Sequence, residues 1–311
     1  MTLQQLRQVL TIAESNSMNE AAKKLFVSQP NLSATVREVE EELGITVFMR
    51  NNRGITVTAE GEEFLGYAKQ VVEQYHLLEN RYLNVESKKK FSVSMQHYSF
   101  AVKAFVQLAK EVGMDEYEFA VHETKTKEVI DNVKNLKSEI GVLYLSDFNE
   151  KVLRKLFKEC DIEFKELFTC NTYVYLWKKH PLAGKKVITL DDLQEYPCLT
   201  FEQGVNNSFY YAEEMMSTYE YKRVIKADDR ATMLNLMVGL NGFTLCSGII
   251  SEDLNGDDYA AIPLKESEKM HIGYIKHKGT KLSKLGEIYI DALKNYENKV
   301  LSVSYTHLRA H

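Results

Sequence analysis

The stretch SQPNLSATVR, residues 28–37, places hydroxyl, amide and small side chains at the start of a helical pattern. With Leu32, Val36, Val39 and Leu43 taken as the buried stripe at about 100° per residue, Pro30, Ala34, Arg37 and Glu41 face the other way. Asn31 and Ser33 flank them. A helix offering such groups at its exposed N-terminal end can enter a DNA groove and hydrogen-bond to base edges. Further on, VFMRNNRGITVT reads as two short strands about a turn at Asn51–Gly54, with Arg50 and Arg53 at the tip, where cations meet phosphate. The plain alternative for the same spacing is a three-helix bundle with a solvated outer face.

The elements that would hold these groups are legible nearby. Leu3, Leu6, Leu10 and Ala13 share one side of a first helix. Ser17 with Glu20 forms a capping-box pattern, so a second helix starts at Met18 and buries Met18, Ala21, Ala22 and Leu25. Ser28 caps the third, Pro30 falls in its first turn and Gly44 ends it. The abrupt break between second and third helices turns one across the other, as in a helix-turn-helix. From Ala59, Phe64, Ala68, Val71, Tyr75, Leu78, Tyr82 and Val85 recur at alternating spacings of four and three, the seam of a coiled coil. Such a seam predicts a second copy of the chain as partner, packing against the chain's own C-terminal domain being the plain alternative. The charge run ESKKK then marks a boundary.

Chemistry of other kinds is poorly supplied. No HExxH, GxSxG, GxxxxGK[ST] or GxGxxG pattern occurs, so no catalytic residues, metal site or cofactor are assigned. His76, His122, His180, His271 and His277 stand alone and read as structural, while His97 falls where a binding cleft is expected. Cys160, Cys170, Cys198 and Cys246 are scattered and read as free thiols in a reducing cytoplasm. No apolar run is long enough to span a bilayer, and the first residues lack a signal-peptide pattern, so a cytoplasmic protein with no membrane partner is expected. The 311 residues carry a net charge of −5, with 44% hydrophobic and 27% charged residues. That balance is ordinary for a globular protein and gives no global attraction to nucleic acid. VSYTHLRAH at residues 303–311 breaks the preceding amphipathic pattern and reads as a non-native tail.

The run AAKKLFVSQPNLSATVREVEEELGITVFMR, followed by GITVTAEG, resembles the N-terminal domain of LysR-type transcriptional regulators. By position, the resemblance implies Gln29, Pro30 and Ser33 near bases, with Ser28 and Asn31 in the same DNA-facing set, and Arg37, Arg50 and Arg53 on phosphates. Ala34 departs from the family's frequent Arg or Lys, and Glu38 adds a negative charge. Residues 1–58 hold six Lys or Arg against six Glu, so tight binding would rely on charge placement, duplication of sites and shape readout. The resemblance also implies a linker helix that pairs two subunits, dimers that pair into a tetramer on double-stranded DNA, and RNA polymerase as a further contact.

Beyond Phe91 strands and helices alternate, with FSVSM, YEFAVH and IGVLYL as strands and helices near 99–112 and 126–136, a βαβ pattern. A second set comprises TYVYLW, CLTF, a helix near 208–219, RVIKA, a helix near 229–240 and FTLC, after which IPLKESEKMHIGYIK and a final helix near 281–297 return to the first. KKHPLAGKKVITLDDL and LMVGLNGFTLCSGI resemble two further LysR-family motifs, the second with Asn241 inserted. The expected fold is therefore α/β: a winged helix-turn-helix over 1–58, a linker helix over 59–88, and over 89–300 a two-lobed effector domain like type-2 periplasmic binding proteins. Lobe I would hold about 89–164 and 268–300, and lobe II about 165–267. A cleft at strand C-termini and helix N-termini would gather Gln96, His97, Tyr98, Ser99, Thr124, Thr126, Thr200, Phe201 and Ser247 around a small polar, anionic effector. The expected function is sequence-specific, effector-modulated regulation of transcription. A free-standing small-molecule binding protein, or an enzyme on the same fold without a DNA role, is the alternative.

Overall fold

The computed structural model describes residues 1–15, 17–51, 54–82, 88–113, 116–206, 208–249, 254 and 256–296. Arg53, Val85 and the 303–311 tail lie outside the described residues, as do the side chains of Arg50 and Tyr82. The chain divides into two compact units, Met1–Ser87 and Lys88–His311.

In the first unit α1 spans Leu3–Ala13, α2 Met18–Lys24 and α3 Gln29–Leu43. Each start has a side-chain cap for an otherwise orphaned N–H: Thr2 accepts from Gln5, Ser17 from Glu20 and Ser28 from Asn31. Gly44 closes α3 at φ +69°, a left-handed conformation that a residue without Cβ adopts readily. Val9, Ile12, Met18, Ala21, Leu32, Val36 and Val39 bury together. β1 (Phe48–Asn51) and β2 (Gly54–Val57) pair antiparallel as a wing. Glu40 fixes the wing to α3 by accepting from Val47 N at 2.7 Å and Phe48 N at 3.0 Å.

Helix α4 runs from Ala59 to Tyr82. A Cβ on Gly61 would lie 2.4 Å from the Val47 carbonyl oxygen, so only glycine lets α4 approach the wing this closely. Gly61→Ala is expected to lower the melting temperature of the first unit, at a cost of about 1–3 kcal/mol in urea titration. An unchanged midpoint would mean the backbone gives way more easily than this contact implies.

The second unit is built on a five-stranded sheet ordered β4-β3-β5-β12-β6. Strands β3 (Lys89–Met95), β4 (Tyr117–Glu123) and β5 (Ile140–Leu145) are parallel, as the alternating pattern predicts. The returning β12 (Lys269–His277) is antiparallel to β5 and to β6 (Ile162–Asn171), so the sheet is mixed. Helices α5 (Ser99–Val112) and α10 (Lys284–Lys294) supply one apolar layer with Phe100, Leu108, Tyr289 and Leu293. Helices α6 (Thr126–Lys134) and α7 (Glu150–Glu159) supply another with Val129, Ile130, Leu153 and Phe157.

The second lobe centres on β7 (Tyr173–Trp177), paired antiparallel with β10 (Thr244–Cys246) and β11 (Tyr259–Pro263). Beside it lie the short α8 (Leu190–Leu193), the parallel pair β8 (Cys198–Phe201) and β9 (Val224–Ala227), and α9 (Arg230–Leu240). The crossover expected near residue 165 falls later, because β6 stays paired with β12 as far as Asn171 opposite Lys269. Thr172 ties the two crossovers together: its N–H donates to Ser267 Oγ and its hydroxyl to the Glu268 carbonyl. Asn241 takes the left-handed C-cap of α9 at φ 49° and accepts from Trp177 Nε1, which accounts for the residue inserted in that turn.

The helix expected near 208–219 does not form. One 3-10 turn at Phe209–Tyr211 stands there instead, and the chain then runs into the space between the lobes. Hydroxyls of the first lobe take up backbone carbonyls that a helix would have used: Thr126 donates to Tyr211 O at 2.7 Å, and Tyr144 to Ala212 O at 3.0 Å and Glu214 O at 3.3 Å.

Candidate DNA interface and ligand cavity

In the first unit, Ser28, Pro30, Asn31, Ala34 and Arg37 are exposed along the start and outer side of α3, with Gln29 and Ser33 half-buried between them. Gln29 Nε2 donates to Ser33 Oγ at 2.8 Å, so the hydroxyl holds the amide in one orientation. Phe26, at φ 53° in the turn before α3, is 96% exposed.

The expected seam of α4 divides. Ala68, with Val72, is buried against Leu6 of α1, and Phe64 packs at the same contact, so Ala68 belongs inside the subunit and not to an outward seam. Val71, Tyr75 and Leu78 remain exposed, joined by Tyr67, which the seam pattern omitted. A helix buries two adjacent stripes when both its own chain and a partner need one, and four-three spacing alone cannot say which stripe serves which. Arg7 stacks its guanidinium over the Tyr75 ring and pairs with Glu79 at 3.3 Å.

In the second unit a cavity of about 90 Å³ lies between the lobes. His97, Tyr98 and Ser99 line it from the end of β3, and Phe201 and Ser247 from the second lobe. Of the other expected residues, Gln96 and Thr126 are buried beside it with their polar atoms engaged: Gln96 Nε2 donates to Thr126 Oγ1 at 2.6 Å, and Thr126 N to Gln203 Oε1 at 3.1 Å. Thr200 lies within β8 and does not line the cavity. Thr124 donates to Glu128 and borders a separate shallow recess.

The cavity also has walls that sequence reasoning missed, namely Glu213, Glu214, Arg230 and Thr244. Glu213 Oε2 accepts from His97 N at 2.9 Å and from His97 Nδ1 at 2.8 Å, and Oε1 accepts from Gln203 Nε2 at 2.9 Å. The imidazole lies flat on Phe201, with ring centroids 3.6 Å apart. Glu214 Oε1 accepts from Phe201 N at 2.8 Å. Burial, and then the neighbouring Glu213, push the Glu214 carboxyl up to about 8. Arg230 pairs with Glu123 across the mouth, and Lys125 with Asp228 at 3.3 Å. Thr244 Oγ1 is buried with no hydrogen-bond partner among the described residues. Burial pushes the thiols of Cys170 and Cys246 up to about 12, so neither is a ready nucleophile. His180 accepts from Leu182 N on Nδ1, so its Nε2–H donates to the Asn241 carbonyl in a purely structural turn.

This lining departs from the expected anion site. Two carboxyl groups face the cavity, and the α6 N-terminal N–H of Thr126, which would have met an anion, is already taken by Gln203. The signal in the sequence was the adjacent pair Glu213-Glu214 set between Ala212 and Met215.

A winged helix-turn-helix joined through a long helix to a two-lobed binding domain defines a DNA-binding regulator that senses a small molecule. Residues 3–62 match the family described as bacterial regulatory helix-turn-helix protein, lysR family, and residues 96–297 match the LysR substrate binding domain. The chain belongs to the LysR family of DNA-binding transcriptional regulators with an effector-binding domain. It is 25% identical to the HTH-type transcriptional regulator CysL of Bacillus subtilis (strain 168) over 308 residues, covering 95% of this chain and 98% of CysL. It is 26% identical over 247 residues to the regulator BsdA of the same strain, covering 76% and 80%. A full-length OxyR variant from Pseudomonas aeruginosa shares the fold with a TM-score of 0.69 at 19% identity, covering 94% of this chain and 95% of that one. No helix among the described residues is long and apolar enough to cross a membrane.

Proposed function

We propose that this chain acts in the cytoplasm, without catalysing a reaction, as a dimer that further pairs into a tetramer on an interrupted palindrome. The exposed residues at the start of α3 enter the major groove, and the stripe Tyr67, Val71, Tyr75 and Leu78 joins two α4 helices. The wing arginines Arg50 and Arg53 reach phosphates. A small polar effector in the interlobe cavity changes lobe closure, hence the setting of the dimers and the bend of the DNA, and with it contact to RNA polymerase. The observation that carries this reading is the outward face of α3, where small and polar residues sit exposed on a helix whose other side buries Leu32, Val36 and Val39 and leaves only the expected Leu43, in the last turn, exposed.

The test is fluorescence anisotropy on the DNA segment beside the chain's own gene and on a random duplex, over a salt series. Ser33→Ala frees Gln29 and should cut discrimination between the two duplexes by about 1 kcal/mol, leaving the salt slope unchanged. Arg37→Ala should weaken both duplexes alike and flatten the slope by about one unit. Identical effects of the two variants on both duplexes would overturn this division of roles.

A further inference from the structure

The charge and hydrogen-bonding state of the interlobe cavity point to a class of ligand opposite to the anion that the sequence suggests. We propose that the cavity takes its ligand through a protonated amine: an alkylammonium group seated between the carboxyls of Glu213 and Glu214, donating also to the Thr244 hydroxyl. This rests on the reading of the cavity as the effector site.

Three observations on separate elements converge. Glu213 and Glu214 are both buried and line the cavity. Glu213 receives three hydrogen bonds, from His97 twice and from Gln203. Among the described residues the Glu214 carboxyl is held by backbone N–H groups alone, those of Phe201, Glu213 and Glu214, and with four lone-pair sites a carboxylate keeps room for a further donor. On β10, the Thr244 hydroxyl is over nine-tenths buried, lines the same cavity and lacks a partner among the described residues. A buried polar atom of this kind is costly unless something occupies the space beside it. The guanidinium in the wall, Arg230, is paired with Glu123, so it offers an incoming anion little. Met233, Leu234 and Ile249 provide an apolar side for a short carbon chain. The cavity, about 90 Å³, has room for more than a single water and so for a small alkylammonium.

Proton balance follows from the environment. Glu214 faces Glu213, Tyr98, Tyr144, Cys198 and Tyr221, together with His97 and Arg230 in the cavity wall. Burial raises the three phenols and the thiol, which stay protonated, whereas Glu214 at about 8 is mostly protonated in the empty cavity at neutral pH. An arriving ammonium keeps its own protons and favours the carboxylate, so the Glu214 proton leaves to solvent. Binding therefore strengthens as pH rises towards 8.

The experiment uses the full-length protein with ethylammonium chloride and sodium propionate at matched ionic strength, by calorimetry in two buffers of different ionisation enthalpy at pH 7. Ethylammonium is expected to bind with release of up to one proton and to raise the melting temperature, while propionate does neither. Glu214→Gln should weaken ethylammonium binding at least tenfold, and Thr244→Val about two- to tenfold, both with wild-type circular dichroism. If propionate binds and ethylammonium does not, the amine proposal is wrong and the effector-site reading stands. If neither probe binds the wild-type protein, the amine proposal fails and the cavity loses its support as an effector site. Ethylammonium binding that is unchanged in both variants also overturns the proposal, since the amine would then sit elsewhere.

Discussion

Leu78→Asp is expected to leave the protein folded and monomeric. Tyr67, Val71, Tyr75 and Leu78 lie 57%, 51%, 39% and 54% exposed along one side of α4, four large apolar groups within three turns. Soluble proteins seldom leave such a stripe on one helix without a partner, and the chain's own α1 covers the neighbouring stripe through Ala68 and Val72. A carboxylate at Leu78 would be unpaired in the joined state at a cost of about 3–5 kcal/mol, two to four decades in the dimer dissociation constant. DNA affinity should fall with it, because two half-sites would no longer be gripped at once. Ala68→Asp makes the contrast: that charge enters the subunit's interior and should unfold the first unit instead. Sedimentation velocity separates the two outcomes. A Leu78→Asp protein that sediments as the wild-type oligomer would remove the stripe from the interface.

The features legible in the sequence are those set by local contacts. Caps at Ser17 and Ser28, Pro30 in a first turn and Gly44 at a C-terminus act within a few residues, so their types alone place α2 and α3, whereas the Thr2 cap of α1 was not singled out. His97, Tyr98, Ser99, Phe201 and Ser247 were found for a related reason, since strand ends in an α/β sheet face the crevice whatever their chemistry. What failed was decided at a distance. Thr126 looked like a ligand donor, but its hydroxyl is bound to Tyr211, 85 residues away. FYYAEEMM has helical composition, yet Thr126 and Tyr144 capture its carbonyls from the other lobe, so tertiary bonds override propensity. Thr244 and Arg230 sit in elements whose apolar pattern gave no reason to single them out. The carboxyl pair at Glu213 and Glu214 went unremarked for the same reason, because it was assigned to a helix.

Stability of the wild-type protein is expected to fall between about pH 5 and pH 8, and Glu214→Gln should remove most of that fall. The Glu214 carboxyl has an ordinary value of 4.5 and is raised to about 8 in the fold, by burial first and by Glu213 second. A raised acid binds its proton more tightly folded than unfolded. Its contribution is therefore complete below about 4.5 and is lost as pH rises through about 8. That interval corresponds to on the order of 4–5 kcal/mol, or about 10 °C in melting temperature for a unit of this size. Glutamine keeps an acceptor for the Phe201 N–H and, like the protonated acid, carries a donor, so it mimics the neutral form at every pH. Glu139, also raised by burial, slopes the same way and remains in both proteins, so the difference between the two curves isolates Glu214. Melting curves should be taken in phosphate and borate, free of primary amines, since an amine in the cavity would stabilise the ionised form and mask the effect. Parallel curves for wild type and Glu214→Gln would mean that this carboxyl ionises without penalty, and Glu214 would then be charged even in an empty cavity.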